Sequence, residues 1–108
     1  MTRGDLVIVG IKGPYTGKPR PALVVQADLF NPTHASVTLC PVTSDCVDAP
    51  LFRVLLPPGQ RTGLSATSQV MIDKVVTVPR KAVERTIGRC DGDEIALVDD
   101  ALRRWFAL

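Results

Sequence analysis

The chain has 108 residues, a length that suits one domain with a modest core. Its 45% hydrophobic and 22% charged residues are an ordinary globular balance that excludes a disordered chain, and no apolar run approaches the length of a spanning helix. The formal charge of +2 is too small to argue for nucleic acid by itself.

The distribution of charge says more. Residues 1–20 carry Arg3, Lys12, Lys18 and Arg20 against Asp5 alone, and residues 80–89 carry Arg80, Lys81, Arg85 and Arg89 against Glu84. Acid gathers later, at Asp91, Asp93, Glu94, Asp99 and Asp100. Asp5 interrupts the start, and no apolar core follows a basic stretch, so no secretory leader is expected. Cys40, Cys46 and Cys90 are an odd number with no pair at metal-ligand spacing. They point to a reduced, cytosolic protein with Cys40 in the core, and leave open whether Cys46 and Cys90 pair.

In chain order, Leu6 to Ile11 reads as a first strand, apolar and β-branched. Lys12 to Pro19 is a breaker-rich loop around Tyr15 and Thr16. A second strand, Pro21 to Ala27, opens at an arginine held between two prolines. Each proline fixes its own φ and drives the residue before it toward extended backbone, so Lys18 and Arg20 are presented at the mouth of a sheet. Asn31-Pro32 marks a turn, and Ala35 to Val42 alternates as a third strand that runs into Thr43-Ser44-Asp45. After a loop at Asp45 to Pro50, further strands are expected at Leu51–Leu56, Gln69–Ile72 and Val75–Val78, with a tight join at Asp73-Lys74. Pro79 can start a short helical turn over Arg80 to Val83, and Ile87-Gly88-Arg89 reads as one more short extended piece. The end is the clearest helix. Asp91 and Glu94 form a capping-box pair, and Ile95, Val98, Ala101, Leu102, Trp105 and Phe106 fall on one core-facing stripe. The expected architecture is a single domain over residues 1–108, mostly β, a small antiparallel sheet or barrel with a C-terminal helix packed on it.

Conventional catalytic sets are absent from the sequence. His34 has no evident partner and reads as a solvated turn residue, and Asp99-Asp100 reads as a solvated helix face. No nucleophile elbow, zinc-protease helix or phosphate-cradling glycine loop is present. What remains is a cation beside hydroxyls at strand ends: Arg20 begins the second strand, and Thr43 and Ser44 close the third. Arginine keeps its charge and offers a planar fork of donors. With fixed hydroxyl donors it supplies what a phosphoryl transition state needs, charge stabilisation and hydrogen bonds to non-bridging oxygens. The plainer role of Thr43-Ser44-Asp45 is turn chemistry.

Arg3-Gly4-Asp5 before an apolar strand, the run from Gly17 through Arg20-Pro21-Ala22-Leu23-Val24-Val25 to Gln26, and Pro41-Val42-Thr43-Ser44 together resemble the MazF/PemK family of toxins. Gly63-Leu64, Ser68 to Asp73-Lys74, Ile87-Gly88 and the closing helix continue the resemblance in order along nearly the whole chain. The resemblance implies an SH3-like small barrel of the MazF/PemK–CcdB type, a homodimer, and the toxin half of a type II toxin–antitoxin system. It implies a sequence-specific endoribonuclease that cuts single-stranded RNA or mRNA without metal or cofactor, through attack of the 2′-OH, leaving cyclic phosphate and 5′-OH ends. It also implies a cognate antitoxin as protein partner, and a cytoplasmic, non-membrane location. The family's catalytic Arg and Thr fall on Arg20 and Thr43. Lys18, Ser44, Ser68, Lys74 and Tyr15 are the expected RNA-binding residues, Tyr15 by stacking on an unpaired base.

Some relatives carry an acidic residue in the loop between the first two strands as a general base; residues 12–19 hold none. The alternatives are a CcdB-like toxin that poisons DNA gyrase without enzymatic activity, and an inactive binding module on the same fold. The gyrase type ends in Trp-Gly-Ile, whereas this chain ends Trp105-Phe106-Ala107-Leu108.

Overall fold

The computed structural model describes residues 1–10 and 18–108, so Ile11 of the expected first strand and Tyr15 of the expected RNA contacts lie outside the described residues. The described elements are β1 (Asp5–Val9), β2 (Arg20–Val24), β3 (Ser36–Thr43), β4 (Arg53–Leu56), β5 (Ser68–Met71), β6 (Val76–Pro79), β7 (Val83–Arg89) and α1 (Gly92–Phe106). Short 3-10 turns, Ile72–Lys74 and Arg80–Ala82, join β5 to β6 and β6 to β7. All pairings are antiparallel and run in the order β4-β5-β3-β2-β1-β7, with β6 also paired to β3.

Strand alternation builds two cores from one sheet. Val7, Val9, Ala22, Val24, Val37, Leu39 and Val78 point to one side and are buried there with Val83 against them. Those residues come from β1, β2, β3, β6 and β7, so these five strands curl around their own apolar cluster. Leu6, Leu23, Cys40 and Val42 point the other way, against Val54, Leu56 and Val70 of β4 and β5 and Val98 and Ala101 of α1. This is why the first two strands read as unbroken apolar runs: both their faces are covered.

The hydrogen-bonded path is open at β4 and β7. The turn after β4 spans that gap. Arg89 N donates to Arg61 O at 2.8 Å, and Thr62 Oγ1 donates to Pro57 O at 2.7 Å. Arg61 then forks onto Glu94, with Nη1–Oε1 at 2.6 Å and Nη2–Oε2 at 2.9 Å. Glu94 is therefore doubly used, since its carboxylate also accepts from Asp91 N at 2.9 Å while Asp91 Oδ1 accepts from Glu94 N at 2.8 Å. The helix start is pinned to the turn that joins the two sheet ends.

Two expectations change. The piece at Ile87–Arg89 is the end of a seven-residue strand, β7, whose polar Glu84-Arg85-Thr86 are exposed while their backbone pairs with β1 through two register shifts. Bulges break the alternation on which pattern reading relies. Trp105 and Phe106 are not core: they are 48% and 52% exposed. The helix buries Val98 and Ala101 one to two turns earlier, and its last turn reaches Phe52, just before β4, where the Trp105 ring lies 5.8 Å from the Phe52 ring.

The turn-to-β7 contact sets a steric test. A Cβ on Gly88 would lie 2.3 Å from Arg61 O and from Thr62 C, both backbone atoms. Gly88→Ala is expected to lower unfolding free energy by about 3 kcal/mol in urea titration. Gly92→Ala, where a Cβ meets nothing within 4 Å, should change it by less than about 1 kcal/mol.

Candidate functional site

The site begins with Pro21. β2 pairs with β3 as Val24↔Leu39, Leu23↔Cys40 and Ala22↔Pro41, and the ladder stops there. Both strands continue, β2 back to Arg20 and β3 on to Thr43. Val25 N donates to Thr38 O across this pair, so the alternate residues Leu23 and Pro21 also face β3. Pro21 lacks the N–H that the next rung, opposite Val42, needs, and the pair opens at this end. Continuing the same register by two residues sets Arg20 opposite Thr43. On its other side Arg20 still pairs with Val9, and Thr43 pairs with Gln69. Both backbones are thus fixed from outside while the space between them is free of ladder bonds.

A hollow beside Arg20 suits an anion, and Thr43 stands outside its lining. Arg20 is exposed and has no ion-pair partner among the described residues. It shares with Lys18 a hollow of about 80 Å³, otherwise lined by Val9, Pro21, Ala22, Leu39, Pro41 and Val76. Two cations over an apolar floor attract a phosphate and let a base or ribose lie on the floor. Thr43 is half-buried, and its Oγ1 accepts from Asp45 N at 3.1 Å. That bond uses a lone pair and orients the hydroxyl. The proton remains available to a non-bridging phosphate oxygen.

The other expected contacts separate. Ser44 is exposed in the turn after Thr43. Lys74 is exposed in the 3-10 turn between β5 and β6 and does not line the hollow. Ser68 is buried, pairs opposite Leu56, and donates its hydroxyl to Ala66 O at 2.9 Å, so it presents no free surface to a substrate. His34 is an exposed turn residue, as expected. Asp99 and Asp100 are engaged by Arg3 at 2.7 Å and Arg103 at 3.3 Å. No group of three or more His, Cys, Asp or Glu placed to hold a metal ion occurs among the described residues.

One residue was invisible to pattern. Gln69 is buried on β5. Its side-chain amide accepts from Val47 N at 3.1 Å and donates to Val47 O at 2.7 Å, tying down the loop that follows Thr43. A buried amide in a strand signals a polar partner, but the partner lies 22 residues away and no local rule finds it.

The cysteines are all free: Cys40 and Cys90 are buried and Cys46 is exposed, so Cys46 and Cys90 do not pair. Burial pushes both the Cys40 and the Cys90 thiols up to about 12. They stay protonated through the neutral range and are poor nucleophiles. Iodoacetamide at pH 8 is therefore expected to add one label per native chain, at Cys46, and three after denaturation; mass spectrometry of tryptic peptides reads the sites.

Comparison with known proteins points the same way. Residues 2–106 match the family described as PemK-like, MazF-like toxin of type II toxin-antitoxin system. A "Probable endoribonuclease MazF" of Mycolicibacterium smegmatis is 47% identical over 102 residues, covering 94% of this chain and 93% of that one. "Endoribonuclease MazF9" of Mycobacterium tuberculosis is 31% identical over 111 residues, covering 95% and 93%. Among solved structures, a MazE-MazF crystal structure from Deinococcus radiodurans superposes with a TM-score of 0.83 at 27% identity, covering 100% of this chain and 97% of that one.

Proposed function

The chain belongs to the PemK-like, MazF-like family of type II toxins, and on that premise we propose that Arg20 and Thr43 form the centre of an endoribonuclease site acting on single-stranded RNA. The observation that carries this reading is the opened end of the β2–β3 pair, with an exposed guanidinium on one strand and an oriented hydroxyl on the other.

RNA brings its own nucleophile, so the protein needs only to position and stabilise. The 2′-oxygen attacks the adjacent phosphorus and gives up its proton, and the bond to the 5′-oxygen breaks as that oxygen takes up a proton. The products are a 2′,3′-cyclic phosphate and a 5′-hydroxyl. Arg20 faces the charge that grows on the non-bridging oxygens of the phosphorane, and Thr43 donates its remaining proton to one of them. Residues 12–19 hold no acid, and the 2′-proton passes to another group, to water or to a substrate oxygen. Lys18 neutralises the neighbouring phosphate, Ser44 adds a hydroxyl beside Thr43, and Lys74 holds RNA farther along the surface. Tyr15 completes the contact set, and buried Ser68 is not part of it. The reaction uses no metal or cofactor, and DNA, lacking the 2′-OH, binds without being cut.

The wider reading follows from family membership. The protein is the toxin of a toxin–antitoxin pair, works as a homodimer, and is neutralised by a cognate antitoxin. The Deinococcus radiodurans MazE-MazF structure supports this pairing. We read residues 1–108 as one toxin domain, which the family match over residues 2–106 supports. The substrate sets a cytoplasmic address, and among the described residues no helix is long and apolar enough to cross a membrane. The gyrase-poisoning alternative is not favoured, because the relatives at 47% and 31% identity are named as endoribonucleases.

A long mixed-sequence single-stranded RNA incubated in EDTA is expected to give discrete fragments with cyclic-phosphate ends. Arg20→Ala and Thr43→Ala should each cut at least about a hundredfold more slowly while keeping the wild-type circular dichroism spectrum. An absolute requirement for added divalent metal, or full activity in Arg20→Ala, would sink the assignment. Light scattering at micromolar concentration is expected to give the mass of a dimer, about twice the 11.7 kDa chain.

A further inference from the structure

Thr43 leads into the loop at residues 44–50, whose far end is tied to the start of β4 by Ala49 O accepting from Phe52 N at 3.2 Å and from Arg53 N at 2.9 Å. Asp45 N donates to Thr43 Oγ1 at 3.1 Å. The Cys46 thiol lies 3.7 Å from Thr67 O, and both Cys46 and Val47 are exposed. The strongest hold is the pair of hydrogen bonds between the Gln69 amide and the Val47 backbone, at 3.1 and 2.7 Å. Gln69 is itself the ladder partner of Thr43 and pairs on its other side with Leu55 of β4. One residue therefore touches Thr43 through the backbone and the loop after Thr43 through its side chain. Its amide presents an acceptor and a donor side by side, the layout a backbone strand would offer, to a loop with no strand of its own beside it.

We propose that Gln69 is a positioning residue for RNA cleavage: by clamping Val47 it fixes where the Thr43–Pro50 segment stands relative to Arg20, and so sets both the reach of the Thr43 hydroxyl and the choice of cut site. The proposal rests on the ribonuclease reading of Arg20 and Thr43. Physically it follows from the span involved. Thr43 Oγ1 is oriented by Asp45 N, Asp45 is two residues from Val47, and Val47 is held by Gln69. Releasing the last bond frees the others to shift. A displacement of about 1 Å at a catalytic group costs on the order of a hundredfold in rate.

Glutamate separates positioning from mere packing, because it has the same shape as glutamine. Ionised, it still accepts from Val47 N but cannot donate to Val47 O, and it repels that carbonyl. Protonated, it restores the donor–acceptor layout of the amide. Gln69→Glu is expected to lower kcat at pH 7.5 by about tenfold or more with KM changed less than about threefold, and to scatter the mapped fragment ends over additional sites. Its activity relative to wild type should rise as pH falls toward 5, since burial with Asp48 and Asp100 in the same hollow favours the neutral carboxyl against the opposing pull of Arg53 and Arg104, and the protonated form refills the clamp. Gln69→Leu should show the same rate loss with no recovery at low pH. A separate readout needs no RNA: exchange of the Val47 amide with deuterated solvent, followed by NMR, is expected to be about tenfold faster in Gln69→Leu than in wild type. Equal kcat and an unchanged cut pattern in folded Gln69→Glu and Gln69→Leu would overturn the proposal. So would equal Val47 exchange, whether or not RNA is cut. If wild type leaves RNA intact while Val47 exchange responds as stated, the ribonuclease reading fails and the proposal falls with it, although the clamp itself stands.

Discussion

The missing N–H of Pro21, which faces β3, is the constraint on which the site depends. A β2–β3 ladder carried to its end would hydrogen-bond the backbones around Arg20 and Thr43 to each other. It stops instead at Ala22↔Pro41. Neither strand end becomes loose, because each keeps its outer partner: Val9 holds Arg20, and Gln69 holds Thr43. The result is an end of the β2–β3 pair without ladder bonds, with a permanent cation on one strand and a hydroxyl on the other. A residue that weakens a ladder is here the means of placing two side chains on backbone held from outside rather than by each other.

The second support is β3. In eight residues it pairs with β6 at Ser36–Leu39, with β2 at Leu39–Pro41 and with β5 at Val42–Thr43. Alternation along it feeds both cores, Val37 and Leu39 to the curled five-strand side and Cys40 and Val42 to the helix side. The strand that ends in Thr43 is the one whose displacement would disturb most of the molecule. A group that must meet a developing charge without reorganising gains from such a mount.

The sequence made much of this legible. The Pro-Arg-Pro segment, the alternation running into Thr43, the tight join at Asp73-Lys74 and the Asp91–Glu94 capping box are local signals, and each stands close to where it was expected, the join taking in Ile72 and the third strand taking in Thr43. What escaped was set by distance along the chain. Gln69 acts on Val47, and Arg61 acts on Glu94 and on the backbone of β7; neither pairing leaves a local trace. β7 hid behind polar residues because its register shifts twice against β1. Trp105 and Phe106 share the helical stripe of Val98 and Ala101, but periodicity tells which face turns inward and not where the sheet beneath ends. Ser68 looked like a free hydroxyl and is a strand residue bonded to Ala66 O.

Thr43 joins two readings of its segment that the sequence presented as rivals. As turn chemistry, Thr43-Ser44-Asp45 needs a threonine oxygen to accept from the backbone two residues on, and that bond is present at 3.1 Å. As phosphate chemistry, the same hydroxyl must donate. A hydroxyl has lone pairs and one proton, so the first use does not consume the second. It assists it: an accepted N–H polarises the oxygen, makes its proton a better donor, and removes the rotational freedom that a substrate would otherwise have to freeze. Serine at this position would keep the bond but lose the β-branch that stiffens χ1, and valine would keep the branch but lose both hydrogen-bonding roles. Threonine alone among the three satisfies the turn, the rotamer and the phosphate together, so the structural demand and the chemical one select the same residue.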